Sequence, residues 1–326
     1  MYYFLVVAQA AGLCGIQARM DFNSCTQTLM RHDSAEMVKL SDLFVFQVTN
    51  VYGPSQPPFP GLGVFSDKDK TNTTGQLEWS AAIRHKDAMH CAIGSIALFL
   101  FFRWQVERSP VPDFSSRASW YFDYLSPGRG ATADTRISKT TFTDTMKKAL
   151  LFLGLLASHY SHFMRVYGVF LAAEYLVHRE TTLLIGRWLR DKLAVHYQKC
   201  AKPADGLVGM AGFNAGSPTL IAAYRIPRSE VEPPQELLDL VFPWRLTKLE
   251  VVKARNAAAL AAPKDKAVVD ASDRQAEVFV SQVLPFLATV LLQDLAVMQN
   301  DVCAAPHCPR YSTVTNAQFR AVRVGA

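Results

Sequence analysis

The stretch from Ser24 to Phe46, "SCTQTLMRHDSAEMVKLSDLFVF", changes its structural pattern within a single segment. Its first part places apolar residues at the three- and four-residue spacing of one helix face, and its end is a run of bulky apolar residues typical of a strand. Arg31 lies in the helical part. A helix that leads directly into a strand predicts a fold that mixes the two.

The next segment, residues 45–80, has the pattern of strands separated by turns. It contains the turn-rich stretch "YGPSQPPFPGLG" and the polar stretch "SDKDKTNTTGQLEW", which we interpret as a hairpin tip followed by a short strand. Lys70 would lie at the rim of this tip, and the neighbouring Asp67 and Asp69 are most simply solvated residues.

Helical patterns dominate the rest of the chain. They cover residues 1–45, 87–103, 140–157, 159–199 and 234–299. An Ala-rich charged stretch interrupts the last of these, and the part between Lys202 and the last helical region is predicted to be a loop. We therefore predict a mainly α-helical α+β fold with a small antiparallel β-sheet or hairpin. We expect one domain over residues 1–250, a helical extension over 251–300 and a disordered tail over 301–326.

Composition favours a globular protein with an anionic partner. Of 326 residues, 50% are hydrophobic and 19% are charged, and the net charge is +6 with a pI near 9.0. The six Cys form no CxxC pair, which predicts a reducing compartment and no zinc ribbon. The apolar run "CAIGSIALFLFF" is shorter than the roughly 20 residues that span a bilayer, so we predict no membrane segment.

Two helical stretches carry side chains suited to chemistry. In "SHFMRVYG", His162 and Arg165 are three residues apart and share a helix face, although such a pair is most often solvated. In "IGRWLRDKLAVHYQK", Tyr197 follows Trp188 by nine residues, which would place them on nearly opposite sides of a continuous helix. Considered alone, this stretch is a basic helix with inward-packed aromatics.

Other catalytic signatures are not found. The sequence has no phosphate loop of the GxxxxGK[ST] type, no HExxH, no GxSxG and no Gly-rich dinucleotide fingerprint. We therefore expect no metal, nucleotide or redox cofactor.

Together these pieces resemble the catalytic domain of tyrosine recombinases, in the branch that includes Crypton transposable elements and domain two of the centromere-binding kinetochore subunit of budding yeast. The resemblance runs from about residue 20 to about 250, in the order of the family. It rests on "LMRHDSAEMVKLSDLF", "KTNTTGQLEWSAAIRHKDAMHCAIGSIALFLFFRW", "PVPDFSSRASWY", "HFMR", "GRW" followed by Tyr197, and "YRIPRSEVEPPQELLDLVFPW".

The resemblance implies a role for each matching residue. Arg31 and Arg165 would clamp the scissile phosphate and stabilise the charge of its pentavalent state, and Lys70 would protonate the leaving 5′ oxygen. The other three would serve the attack: His162 would assist proton transfer, Trp188 would donate its indole N–H to the phosphate, and Tyr197 would form a 3′-phosphotyrosine. Such chemistry needs neither metal nor ATP.

The same resemblance implies partners and a location. It implies double-stranded DNA as the ligand, a homo-oligomer on DNA, a nuclear location and neither a membrane nor a small-molecule cofactor. Further cations would contact the DNA backbone electrostatically. These are Arg84, Lys86, Lys147, Lys148, Arg187 and Arg190.

Three interpretations stay open. The first is a recombinase that breaks and rejoins DNA, and the second is a non-catalytic DNA-binding module of the centromere type or a degenerate transposon-derived copy. The second is favoured by the lack of room before Arg31 for the helical domain that usually closes over the DNA. The third is a helical interaction protein whose basic face meets acidic partners or a membrane surface.

Overall fold

A computed structural model describes residues 13–49, 58–66, 78–128, 130, 132–152, 160–188, 202–261 and 273–303. The fold is mainly helical with one three-stranded antiparallel sheet, which confirms the predicted fold class. The predicted hairpin tip with Asp67, Asp69 and Lys70 lies outside the described residues, as do Arg190, Tyr197 and most of the predicted tail.

Within the described residues we number the α-helices α1 to α12 and the strands β1 to β3 in chain order. The first half of the chain contains α1 (Leu13–Thr28), α2 (His32–Ala35), β1 (Leu43–Val48), β2 (Phe59–Ser66), β3 (Glu78–Ala82) and α3 (Ala92–Phe101), which continues as a π turn over Phe102–Val106. The second half contains α4 (Lys139–Phe152), α5 (Tyr160–Glu174), α6 (Arg179–Ile185), α7 (Ala204–Met210), α8 (Pro218–Ala222), α9 (Gln235–Val241), α10 (Arg245–Ala261), α11 (Arg274–Val278) and, after a π turn over Phe279–Val283, α12 (Leu284–Cys303).

In the central helix α1 the residues from 15 to 28 are buried except for the partly buried Ser24, and many of the buried ones are polar. Since an unpartnered polar group in a protein core is costly, these side chains need partners. Three of them bond the segment 83–92 or the first turn of α3. The bonds join Gln27 to the Ile83 carbonyl (2.7 Å) and the Ala92 N–H (3.0 Å), Asn23 to the Met89 carbonyl (2.8 Å) and the Ser95 hydroxyl (2.7 Å), and Arg19 to the Ala88 carbonyl (3.1 Å).

The sheet has β2 in its middle and packs on both faces. Leu62 and Val64 face the main core, whereas Phe46 and Trp79, on the opposite face, pack with α7 in a second cluster. Gly63 of β2 has the Phe44 ring directly over it, where a side chain would collide with the ring. The period-two alternation thus gives the sheet two apolar faces.

The core continues beyond residue 250. Trp120 is fully buried against Phe279, and its indole N–H donates to Asp273 at 2.6 Å. The stretch Arg274–Met298 is long and apolar enough to cross a membrane by length and composition, but here its second half packs on α3 as a core helix. The residues after 250 therefore complete the same core as the residues before it.

Three details of the predicted helices are wrong. Arg31 lies after the end of α1, not on it, because Leu29 has a left-handed backbone with φ +52°. The helix predicted nearly continuously over 159–199 is interrupted at Leu176, and its second part α6 ends at Ile185, while residues 189–199 lie outside the described ones. The part after Lys202, predicted as loop, contains α7 and α8, where apolar residues too few to show a helical period still pack on the sheet.

Asp21 provides a stability test of the buried helix. Burial raises the pKa of Asp21 to about 8, so the folded protein keeps a proton that the unfolded chain loses near the ordinary pKa of 3.8. Between these values, rising pH removes up to about 1.4 kcal/mol of stability per pH unit. We expect Asp21→Asn, which cannot ionise, to gain stability over wild type as pH rises towards 8, and the gain to level off above it.

Urea unfolding of both proteins from about pH 5 to about pH 9 measures this difference. Comparing the two cancels the opposite effect of His32, whose burial lowers its pKa to about 4 and removes stability as pH falls through the interval from 6.5 to 4. A stability difference that stays constant with pH would contradict the assignment to Asp21.

Candidate functional site

The site is an open depression between the end of α1, strand β3 and the turn after α6. It encloses ≈ 280 Å³, open solvent included, and we call it the arginine depression. Its polar lining consists of Thr28, Arg31, Ser34, Ser80, Arg165 and Arg187, and Gly186 contributes backbone. The described lining residues include three guanidinium groups and no carboxylate, which favours an anion.

Arg31 enters the depression from the start of α2. Its backbone is extended (φ −70°, ψ 148°), and its carbonyl accepts the N–H groups of Ser34 (3.1 Å) and Ala35 (2.9 Å). The side chain is half-buried, and its Nη1 is buried with no hydrogen-bond partner among the described residues. A buried guanidinium nitrogen without an acceptor is costly, and an anionic ligand would supply one.

Arg165 enters from α5 and is 9% exposed. Its Nη2 donates to the Gly186 carbonyl, and its guanidinium lies over the Trp188 ring at 4.2 Å from the centroid. Such a cation–π contact holds the planar group in one orientation. Arg165 is therefore positioned before any ligand arrives.

The turn after α6 brings the third arginine into place. The Trp188 N–H bonds the Leu183 carbonyl (2.8 Å) and the Arg187 N–H bonds the Leu184 carbonyl (3.1 Å), which is the Schellman pattern of a helix end. The left-handed position of this pattern usually holds glycine, but here it holds Arg187 with φ +57°. Arg187 donates from Nη2 to the Ser80 hydroxyl at 3.0 Å and pairs through Nε with Glu78 at 3.4 Å.

Gly186 is required by the close approach of Trp188. A Cβ at this position would overlap the indole ring, which folds back over the turn. Because of this glycine, one short segment provides three groups. The Gly186 carbonyl and the Trp188 ring contact Arg165, and the Arg187 guanidinium lines the depression.

The structure brings together part of the predicted set. Arg31 and Arg165 line one depression, and Trp188 contacts Arg165. His162 is exposed on α5 and is not among the described residues that line the depression. Lys70 and Tyr197 lie outside the described residues.

The predicted backbone-contacting cations have different surroundings. Lys86, Lys147 and Lys148 are exposed, and Arg187 lines the arginine depression itself. Arg84 is 5% exposed and paired with Asp294, so the structure gives it a buried structural role instead of a surface contact. Arg190 lies outside the described residues.

Sequence reasoning missed Ser34, Ser80 and Glu78. Ser80 and Glu78 come from β3, and their contact with Arg187 joins residues more than a hundred positions apart, for which one sequence contains no signal. Ser34, three residues after Arg31, was accessible to reasoning, because the turn that starts α2 places it beside that arginine.

Fold and site together define an α+β domain that gathers arginines from three separate segments around one open depression. Within the described residues no group of three or more His, Cys, Asp or Glu side chains is arranged to hold a metal ion.

The comparisons with known proteins identify the family. Residues 15–308 match the family model of the centromere DNA-binding protein complex CBF3 subunit, domain 2, and the chain belongs to this family. No curated protein matches the chain. The resemblance to domain two of the centromere-binding subunit is confirmed, and the wider relation to Crypton recombinases stays a prediction.

The packing of Trp188 on Gly186 can be tested by a double-mutant cycle. We expect Gly186→Ala to destabilise the protein by about 1–3 kcal/mol, because the added methyl group forces the indole ring away from Arg165. In a Trp188→Leu background the same change should cost less, since the smaller side chain leaves room. Chemical denaturation of the four proteins measures the coupling, and strictly additive effects would contradict the contact.

Proposed function

We propose that this protein is a DNA-binding domain of the centromere-binding type, and that the arginine depression receives a phosphate of the DNA backbone. The observation that carries the proposal is the convergence of Arg31, Arg165 and Arg187 on one depression in a member of this family. The net charge of +6 favours the same ligand.

Phosphate suits the donors of this depression. Guanidinium groups present paired N–H donors that match two phosphate oxygens, and hydroxyl groups such as those of Ser34 and Ser80 add neutral donors. The buried Nη1 of Arg31 gains an acceptor when the anion binds. Contacts of this kind fix the position of a duplex without reading its sequence.

The exposed lysines extend the proposed contact beyond the depression. Lys147 and Lys148 project from α4, and Lys86 lies beside the Phe213 ring at 5.9 Å from its centroid. We include them as electrostatic contacts, together with Arg190, and leave out the buried Arg84.

The family also suggests where and with what the protein works. A domain of a centromere-binding complex is expected in the nucleus and in assembly with other subunits of such a complex. A homo-oligomer on DNA is a further proposal, because adjacent copies would add their phosphate contacts along one duplex.

Duplex binding measured at several salt concentrations tests the proposal. We expect wild-type affinity for a fluorescein-labelled duplex to fall steeply between about 50 and 200 mM salt. Arg31→Gln should weaken binding by about tenfold or more and flatten the slope of log K against log salt by about 0.9, because one phosphate contact is lost.

Arg117→Gln is the matched control, since Arg117 is exposed, stacks on Tyr121 and does not line the arginine depression. It removes the same charge and should change the affinity much less. Equal effects of the two substitutions would show that only net charge matters and would refute a phosphate site at the depression.

A second candidate function is DNA strand cleavage and rejoining through Tyr197. The observation that favours it is that Arg31 and Arg165, the two residues of the predicted phosphate clamp, line one depression beside Trp188. With Lys70 as acid and His162 assisting, Tyr197 would form a 3′-phosphotyrosine and release the 5′ hydroxyl.

Nicked suicide substrates distinguish catalysis from binding alone. If Tyr197 is a nucleophile, wild type forms a covalent protein–DNA adduct that survives a denaturing gel, and Tyr197→Phe forms none while still binding DNA. Identical gels for the two proteins, with DNA binding intact in both, would reject catalysis at Tyr197 and leave the DNA-binding proposal standing.

A further inference from the structure

One carboxylate stands beside the arginine depression. Glu78, the first residue of β3, pairs through Oε2 with Nε of Arg187 at 3.4 Å. Ser80, two residues along the same strand, accepts a hydrogen bond from Nη2 of Arg187 at 3.0 Å. The strand therefore holds the arginine from two points.

The pair between Glu78 and Arg187 lies in a sheltered place. The two side chains are 14% and 18% exposed, so solvent and salt screen their attraction less than they screen that of a surface pair. By comparison, Glu250 and Lys253 on α10 form a pair at 3.7 Å with 76% and 52% exposure. Removing one partner should therefore matter more at β3 than on α10.

A DNA phosphate in the depression would need the arginine that this carboxylate holds. Carboxylate and phosphate oxygens use the same guanidinium donors, so Glu78 and the phosphate compete for Arg187. This competition for Arg187 weakens DNA binding.

We propose that Glu78 is an internal competitor that occupies Arg187 in the DNA-free protein and thereby limits the affinity for DNA and its salt dependence. The inference rests on the proposed phosphate site and names the residue that regulates it. Glu78 acts through Arg187 and makes no contact with the DNA.

The experiment compares Glu78→Gln with wild type in the salt-dependent duplex assay. The neutral amide keeps the size of the side chain and removes the negative charge that pairs with Arg187. We expect about three- to thirtyfold tighter binding at low salt and a log–log salt slope steeper by up to about 0.9, as one more cation becomes available to phosphate.

Two further proteins show whether the gain comes through Arg187. In an Arg187→Gln background, Glu78→Gln should give no gain, because the contested arginine is gone. The control Glu250→Gln makes the same charge change and breaks the exposed pair on α10, and it should alter Kd less than about twofold. Glu78→Asp, which keeps the charge but shortens the side chain, should give a smaller gain in the same direction.

The outcomes separate this inference from the proposed function. Suppose that wild type binds DNA and that Arg31→Gln weakens this binding. If neither Glu78→Gln nor Glu78→Asp, each shown to be folded, then binds DNA more tightly than wild type, Glu78 is only a structural partner of Arg187 and the inference is wrong. A gain that persists without Arg187 also overturns it. If wild type does not bind duplex DNA at any salt concentration, the proposed function itself fails.

Discussion

The buried hydrogen bonds between α1 and the segment 83–92 are the constraint on which the rest of the structure depends. The side chain of Gln27 donates a hydrogen bond to the Ile83 carbonyl just after β3 and accepts one from the Ala92 N–H at the start of α3. A buried amide with lost partners costs about 1–3 kcal/mol, so these bonds fix helix, strand and following helix relative to one another. The sheet and the main core are built on this frame.

The frame also determines where the arginines lie. Arg31 follows α1 after only a short turn, and Ser80 lies a few residues before the carbonyl that Gln27 holds. Both sides of the arginine depression are therefore tied to one helix. Arg165 and Arg187 approach from α5 and the end of α6, and the Gly186 carbonyl and the Trp188 ring hold Arg165 against that turn. A site built this way loses little conformational entropy when an anion binds.

The sequence predicts this architecture where side-chain periodicity is strong and misses it where the backbone is unusual. The change of pattern in residues 24–46 correctly predicts a helix followed by a strand, and the matches at Arg31 and Arg165 select two residues that line one depression. The missed helix ends share one physical cause: the chain turns at Leu29, Leu176 and Arg187, all with positive φ. Residues other than glycine rarely adopt this conformation, so a sequence without glycine at these positions does not indicate that a helix ends there. The burial of Arg84 was equally hidden, since its partner Asp294 is distant in the chain.

The backbone at Arg187 connects stability to the proposed function. A left-handed conformation costs a non-glycine residue about 1–2 kcal/mol, and glycine at this position would avoid that cost. The contacts with Glu78 and Ser80 offset part of it in the free protein, because they require a long cationic side chain that glycine lacks. The same contacts hold the guanidinium at the edge of the depression, where the proposed phosphate would need it. Under this proposal one ion pair both stabilises the turn and opposes the ligand, so the strength of the pair would set a balance between a stable turn and tight DNA binding.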